Sequence, residues 1–538
     1  MKNTLRFSIL GVCMLVLTFV IGLQLDVYEN GFSDSDEAAH FVNSYFIWNY
    51  LTTGDFANPI KYAQEFYTAY PKLSLGHWPP LYYVLVGAAF LILPAMATSV
   101  AIINSVVVAL VAASAGMLLM NNIRRWAALV FGVLYILSPL SVKSIQFFML
   151  DQPLTLTVLL AAWIWQRYVD TGKLYWAALY GLMAAAAILI KGNGWLLGLF
   201  PLLHITFFRY GHVFRNWRTY FGAVLCLIFV VPWYMITAKI SADGFNYSFG
   251  VPYMLTSLRE NSLIVISELG YLGSVLALLG VIANWSHKEL SRASLVRLSL
   301  SILTAVLIFQ AIVPVDISDR YLMPAMPFCW ALVLLGIISL GELAFFQEQR
   351  FARIGVQMIS LLLLIEAMSI HAWPLIPQLD LRMREVANEI VLRGKGDLQA
   401  VLVDASPAGE GAFIAEALVA SQGKDLYIVR SSKIMAKSDF MGNSYKLAVE
   451  SPEVIERMLR EMGIGYIVVS RYPDANLFEH NKKLLAYLEG SQTAYKRVRT
   501  LPYRHRLGNT TIFKSSVPQQ VNLKKIRDMV FSKKTQIL

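Results

Sequence analysis

Pro79-Pro80-Leu81-Tyr82-Tyr83-Val84-Leu85-Val86-Gly87-Ala88-Ala89-Phe90-Leu91-Ile92-Leu93-Pro94 is the stretch on which the topology of this chain turns. It is apolar enough for a lipid bilayer but bracketed by prolines, which fix its ends. A helix over 80–94 extends about 22 Å at about 1.5 Å per residue, whereas a hydrocarbon core is about 30 Å thick. This run is too short to cross, and is expected to lie along the membrane or dip into it.

Its neighbours are longer. Apolar runs occupy approximately residues 7–25, 98–119, 125–144, 153–169, 174–190, 194–209, 219–238, 263–283, 295–314, 321–342 and 352–373. Most have the length a span requires. Across all 538 residues, 57% are hydrophobic and only 15% charged, which excludes an ordinary soluble enzyme and makes lipid the solvent for much of the chain. The first run follows Lys2 and Arg6 as a signal peptide would, but it is long for one and no small-residue cleavage pattern follows, so it is read as a span.

Loop charge tests this reading, because short cytoplasmic loops favour Lys and Arg. If 80–94 crossed, Arg124 and Arg125 would lie outside and Arg167 with Lys173 would have the wrong parity. If it does not cross, Arg124/Arg125, Arg167/Lys173, Arg209/Arg215/Arg218, Lys288/Arg292/Arg297 and Arg350/Arg353 all fall inside. Loops 145–152, 239–262 and 315–320 then fall outside, together with loop 26–78, whose seven carboxylates (Asp26, Glu29, Asp34, Asp36, Glu37, Asp55, Glu65) face only Lys61 and Lys72. The expectation is about eleven crossings and one juxtamembrane or re-entrant helix, with the N-terminus cytoplasmic and everything beyond a stop at Trp373-Pro374 outside.

The net charge of +11 is spread over those short loops, so it reads as a topology signal and gives no nucleic-acid-binding face. Cys13, Cys226 and Cys329 all lie in apolar segments, which argues against disulfides. From about residue 378 the apolar runs shorten to strand length at 400–403, 426–429 and 464–469, with helical patterns at 411–420 and 452–462 between them. Two domains are therefore expected: a membrane module over 1–373 and a small extracytoplasmic α/β domain over 374–538. Gly409-Glu410-Gly411 reads as turn chemistry, and the basic stretch from Lys524-Lys525 to Lys533-Lys534 as a solvated or headgroup-facing surface.

Three groups of residues could carry chemistry. Ser33-Asp34-Ser35-Asp36-Glu37-Ala38-Ala39-His40 opens a helix in the acidic outer loop. Helix capping by Asp34 and Glu37 explains part of it, but leaves Asp36 and the nearby His40 as candidates for a general base or metal site. Phe148-Met149-Leu150-Asp151-Gln152-Pro153 returns a second carboxylate to the same membrane face, where Asp151 is either a helix cap or a partner in base or divalent-cation chemistry, with Glu37 and Asp151 the metal candidates. Lys191 and Arg320 stand at outer helix ends, either snorkelling or stabilising charge on a phosphate leaving group. His77, in His77-Trp78-Pro79-Pro80-Leu81-Tyr82, adds a donor beside aromatic surface suited to a sugar or lipid.

These motifs, in this order, resemble the GT-C superfamily of integral-membrane glycosyltransferases, in particular its protein O-mannosyltransferase and lipid A aminoarabinose transferase branch. The resemblance covers roughly residues 1–345: Asp36-Glu37 is similar to the family's first-loop motif, His77-Trp78-Pro79-Pro80 to its basic-residue-plus-Pro-Pro segment, Leu150-Asp151-Gln152-Pro153 to its second acidic motif, and Lys191-Gly192 and Arg320-Tyr321-Leu322-Met323-Pro324 to two later signatures. It implies a GT-C fold and a polyprenyl-phosphate sugar donor, consistent with the lack of any dinucleotide fingerprint or Walker loop. It further implies a single inverting displacement. Asp36 takes the proton of an acceptor hydroxyl on a protein, lipid or glycan; Glu37 and Asp151 assist; Lys191, Arg320 and His77 hold the phosphate; and His40, Tyr82 and Tyr321 line the substrate. A transporter or flippase of lipid-linked sugars is the rival from another class, but it would place its ionisable groups near the bilayer midplane and often repeat its halves.

Overall fold

The computed structural model describes residues 2–54, 56–120, 123, 125–208, 210–242, 244–245, 247–342, 350–372, 376–394, 396–437, 445–473, 477–490 and 493–531. Asp55, Arg124, Arg209, the Trp373-Pro374 stop and Lys533-Lys534 lie outside the described residues. The chain divides into two compact units. One gathers residues up to Leu25, Trp78–Tyr82 and Ile103–Ile376; the other gathers Asp26–His77, Tyr83–Ile102 and everything from Pro377.

The first unit is helical. Among the described residues six helices are long and apolar enough to cross a membrane: Leu5–Gln24, Ala97–Met120, Trp217–Ala242, Val251–Asn284, Leu290–Ile312 and Asp319–Gly341. A seventh candidate is the pair Trp126–Leu137 and Pro139–Gln146, bent by 61°. The bend has a local cause: Pro139 lacks the N–H that would continue the ladder, and the hydroxyl of Ser138 turns back to Tyr135 O (2.7 Å). The run over 125–144, expected to be one straight span, is therefore broken. Hydropathy alone does not register that proline. Further helices occupy Asp151–Thr171, Leu174–Ile190 and Leu196–Phe207.

Burial distinguishes the inside of this unit from its lipid face. Within Asp319–Gly341 every residue from Leu322 to Ser339 is buried, whereas Trp217–Ala242 and Val251–Asn284 present Ile228, Phe229, Met235, Leu278 and Ile282 outward. Exposed apolar surface on this scale marks contact with lipid, which makes the chain an integral membrane protein. In lipid, apolar side chains gain little by packing on each other, so close backbone approach and buried polar contacts hold helices together. Gly280 and Gly336 meet the backbone of the facing helix so closely that a Cβ on either would clash with a carbonyl. Asn284 Nδ2 donates to Ser339 Oγ (2.8 Å) across the same pair.

The second unit joins the acidic loop segments to the C-terminal region. Helices Ser35–Thr53 and Pro59–Ala69 belong to it, with most of Leu81–Ala89. That last helix has nine residues, about 13 Å, well short of a membrane's thickness. The α/β part is built on strands β1 (Gln399–Asp404), β2 (Leu426–Arg430), β3 (Ala436–Lys437), β4 (Lys446–Leu447), β5 (Tyr466–Arg471), β6 (Tyr495–Pro502) and β7 (Asn509–Ser515). Five of them form a sheet in the order β2-β1-β5-β7-β6; the first three are parallel, and β7 and β6 run antiparallel to their neighbours. Leu402, Val429, Leu459, Ile467, Tyr487 and Phe513 fill its core. The β6–β7 hairpin is absent from the sequence reading because Lys496, Arg497 and Arg499 make β6 look polar, although such charges are a usual protection for an edge strand.

Candidate active site

In the helical unit, four of the residues singled out by sequence come together. Asp151 is the first residue of helix Asp151–Thr171, whose Pro153 is tolerated in a first turn where backbone N–H groups lack helical partners anyway. Lys191 ends helix Leu174–Ile190 by going extended (φ −153°, ψ 141°) while its N–H still donates to Ala187 O (3.1 Å). Gly194 then lets the chain fold back against Ala187 and Ile188, where any Cβ would strike backbone. The Lys191 ammonium donates to Asp151 Oδ1 at 2.6 Å, and both side chains are more than nine-tenths buried. It also lies 4.6 Å from the centre of the Tyr321 ring, and the Arg320 guanidinium lies 5.3 Å from the same ring.

Arg320 and Tyr321 belong to the tight 3-10 turn Asp319–Ala325 leading into Met326–Gly341. Asp319 beside them is held by Lys143 (2.6 Å). The buried Gln152 accepts from Tyr135 OH (3.1 Å) and donates to Ser144 Oγ (2.6 Å), which fixes the turn around Asp151. Two polar atoms here stay buried without a hydrogen-bond partner among the described residues: Asp151 Oδ2 and the Tyr82 hydroxyl, whose ring packs on Phe148 at 5.8 Å. Buried polar atoms are nearly always satisfied by protein, water or ligand, so both atoms are open to an added partner.

In the other unit, Asp34 caps helix Ser35–Thr53, its Oδ1 accepting from Asp36 N (2.8 Å) and Glu37 N (3.4 Å). Glu37 is buried, and its Oε2 accepts from Ser33 N (3.1 Å), the arrangement of a capping residue. Asp36 between them is half-buried. His40 is buried with Nδ1 2.8 Å from Tyr83 OH, and His77 is half-buried, its N–H donating to Ser74 O (3.3 Å).

Among the described residues no group of three or more His, Cys, Asp or Glu side chains converges as a metal site would require. Glu37 and Asp151, the two metal candidates, are both engaged by protein donors.

Sequence reading missed three groups. Lys72 donates to Ser35 Oγ (2.7 Å) in the first turn of the Asp36 helix; burial and the charge of Arg430 push its ammonium down to about 8, against the opposing pull of Asp36, Glu410 and Asp34. The sparse basic content of the acidic loop was the available signal. Glu268 lies inside the apolar run 263–283 and accepts from Leu140 N (3.1 Å), capping the second half of the bent pair. An ionisable side chain within a span is a standing candidate for function. The third group grips the residues just before Asp36: Arg384 donates to Glu29 O (2.9 Å) and Asn30 O (3.0 Å), Gln378 Nε2 to Ser33 Oγ (2.8 Å), and Phe32 N donates to Glu416 Oε1 (3.3 Å).

Residues 77–236 match the family model described as dolichyl-phosphate-mannose-protein mannosyltransferase, a segment containing His77, Tyr82, Asp151 and Lys191. No curated protein matches the chain. Among solved structures, ArnT from Cupriavidus metallidurans in the apo state is similar at a TM-score of 0.56 and 14% identity, over 93% of this chain and 97% of that one. The structure of ArnT from the same organism bound to undecaprenyl phosphate is similar at a TM-score of 0.58 and 12% identity, over the same shares. The chain therefore shares the fold of these ArnT structures.

Proposed function

We propose that this protein is a membrane glycosyltransferase that moves a sugar from a polyprenyl-phosphate carrier to an acceptor hydroxyl on the extracytoplasmic face. The reading is carried by the cluster of Lys191, Asp151, Arg320 and Tyr321, in which two cations lie over one aromatic ring beside a buried carboxylate oxygen without a hydrogen-bond partner among the described residues. The match to a family acting on lipid-phosphate mannose and the fold shared with a protein that binds undecaprenyl phosphate support the donor class. The N-terminus lies in the cytoplasm of a bacterial inner-membrane protein, and the region beyond Ile376 lies in the periplasm.

The reaction is one displacement. The acceptor hydroxyl loses its proton to Asp36 as its oxygen bonds to the anomeric carbon, the bond from that carbon to the phosphate oxygen breaks on the opposite side, and the configuration inverts. The carrier departs as polyprenyl phosphate, and Lys191 and Arg320 stabilise the charge it gains. Asp151 holds Lys191 in place through Oδ1 and turns Oδ2 to the substrate. Tyr321 carries both cations on its ring, Tyr82 offers its hydroxyl to the sugar, and His77 adds a donor to the phosphate. Glu37 fixes the helix start that presents Asp36, and His40 with Tyr83 lines the acceptor side. Acceptors are a protein, a lipid or a glycan.

The test is to purify wild type and Asp36→Asn in mild detergent, extract the bound lipids and compare them by mass spectrometry. Sugar-loaded polyprenyl phosphate enriched in the variant identifies the donor from its mass and supports Asp36 as the base. Folded protein carrying no such lipid in either form rejects the donor class and favours a transporter or a scaffold.

A further inference from the structure

Helix Arg350–Ala372 packs along Met326–Gly341, with the Gln357 side chain against Gly341 and its Nε2 donating to Ile338 O (3.3 Å). Between these two helices and Arg125–Leu137 lies a cavity of about 580 Å³, a size at which ligands bind. Its lining changes character in one direction. Trp126 and Arg353, each in the first turn of its helix, line it together with Glu342, the residue that caps Met326–Gly341. Val130, Leu334, Met358 and Leu361 line it further into the helices. Leu361 stands eight residues beyond Arg353, about 12 Å along the axis.

The two charged lining groups are not equivalent. Glu342 is gripped by both terminal nitrogens of Arg292 (2.7 and 2.9 Å), so its charge is answered within the protein; Glu289, the other partner of Arg292, does not line the cavity. Arg353 has no ion-pair partner among the described residues. An interfacial tryptophan, one cation without an ion-pair partner among the described residues and an apolar shaft form the profile of a lipid: headgroup at the interface, chain in the hydrocarbon. The loop-charge topology puts this end on the cytoplasmic face, where anionic headgroups are recognised by basic pockets between helices.

We propose that the cavity binds an anionic glycerophospholipid, its phosphate on Arg353 and one acyl chain along Val130, Leu334, Met358 and Leu361. This site is separate from the donor residues Lys191 and Arg320 and does not depend on the reaction assigned to them. A second lipid here supports the packing of a helix that otherwise leaves a gap beside Arg125–Leu137.

The full chain, delipidated in detergent, is titrated with phosphatidylglycerol or phosphatidylcholine of identical acyl chains and read by native mass spectrometry. Wild type is expected to bind one phosphatidylglycerol about fivefold tighter than phosphatidylcholine, the worth of one arginine at a membrane surface. Arg353→Ala and Arg353→Gln, each checked for an unchanged melting profile, lose that preference. Val130→Phe, which fills the shaft, weakens both lipids. Equal binding of the two lipids by wild type, or a preference that survives both Arg353 variants, overturns the proposal. So does a co-purified polyprenyl phosphate that only Val130→Phe displaces, because the shaft would then belong to the donor's tail.

Discussion

The two acidic regions of this chain solve the same problem by different means. In the helical unit, Asp151 is buried and answered on one oxygen by an equally buried ammonium. In the other unit, Asp36 is half-buried at a helix start, beside carboxylates that satisfy backbone N–H groups and a lysine held by Ser35. A buried ion pair is costly to assemble and costlier to break from one side, because the survivor keeps its charge in a poor solvent. A carboxylate at a helix N-terminus is stabilised by the macrodipole and still reached by water. The first arrangement suits a group that must stay put, and the second a group that must exchange a proton.

The sharpest way to break this contrast is Asp36→Asn. Transfer from the proposed polyprenyl-phosphate donor is expected to fall by about 10²- to 10⁴-fold, the range of general-base contributions, while the melting temperature scarcely moves. Loss of stability as large as the loss of rate would make Asp36 a structural cap and erase the distinction.

Lys191→Met inverts the expectation. Leaving Asp151 charged and buried should destabilise the fold by about 3 kcal/mol or more, read as detergent-solubilised unfolding, and adding Asp151→Asn should recover much of it. Activity stays lost in the double variant if Lys191 also meets the phosphate. If the double variant regains transfer, the pair is only a structural clasp. A smaller effect is expected from Tyr321→Leu, which removes the ring shared by Lys191 and Arg320: about 1–2 kcal/mol of cation–π stabilisation, seen as roughly tenfold in KM for the donor with kcat less affected.

Much of this organisation was legible in sequence, and the illegible parts share a cause. Long apolar runs are dictated by the bilayer and need no knowledge of neighbours. The shortness of 80–94 was readable because prolines bracket it, and the helix there has nine residues. The polar residues at the ends of apolar runs, Asp151, Lys191 and Arg320, stood out against their surroundings. Their mutual contact did not, since nothing local pairs residue 151 with 191. Nor did the grip of Arg384 on Glu29 and Asn30, which joins residues about 355 positions apart. The Pro139 bend was hidden by continuous hydropathy and the β6 strand by its charges. Lys72 and Glu268 were passed over because each looked like a lone charge until its partners were known.

Lys72 gives the finest test of how the Asp36 helix differs from the buried pair. Its ammonium titrates near 8 instead of the usual value near 10.5, through burial and the neighbouring Arg430, so between those two values the unfolded chain holds the proton that the folded chain has released. Stability then rises with pH across that window, the charged amine being a liability below about pH 8 that is progressively relieved above it. Lys72→Met should therefore flatten the pH dependence of unfolding between 8 and 10.5 and stabilise the protein slightly at neutrality. Since Asp34, Asp36 and Glu410 all favour the charged form of Lys72, the same substitution removes a cation from the surroundings of Asp36 and raises the pH at which Asp36 ionises. The acid limb of the transfer rate should move to higher pH in Lys72→Met and return in Lys72→Arg. An acid limb that stays fixed in both variants would show that Lys72 only braces the first turn through Ser35, and that proton exchange at Asp36 is set by water and the helix end alone.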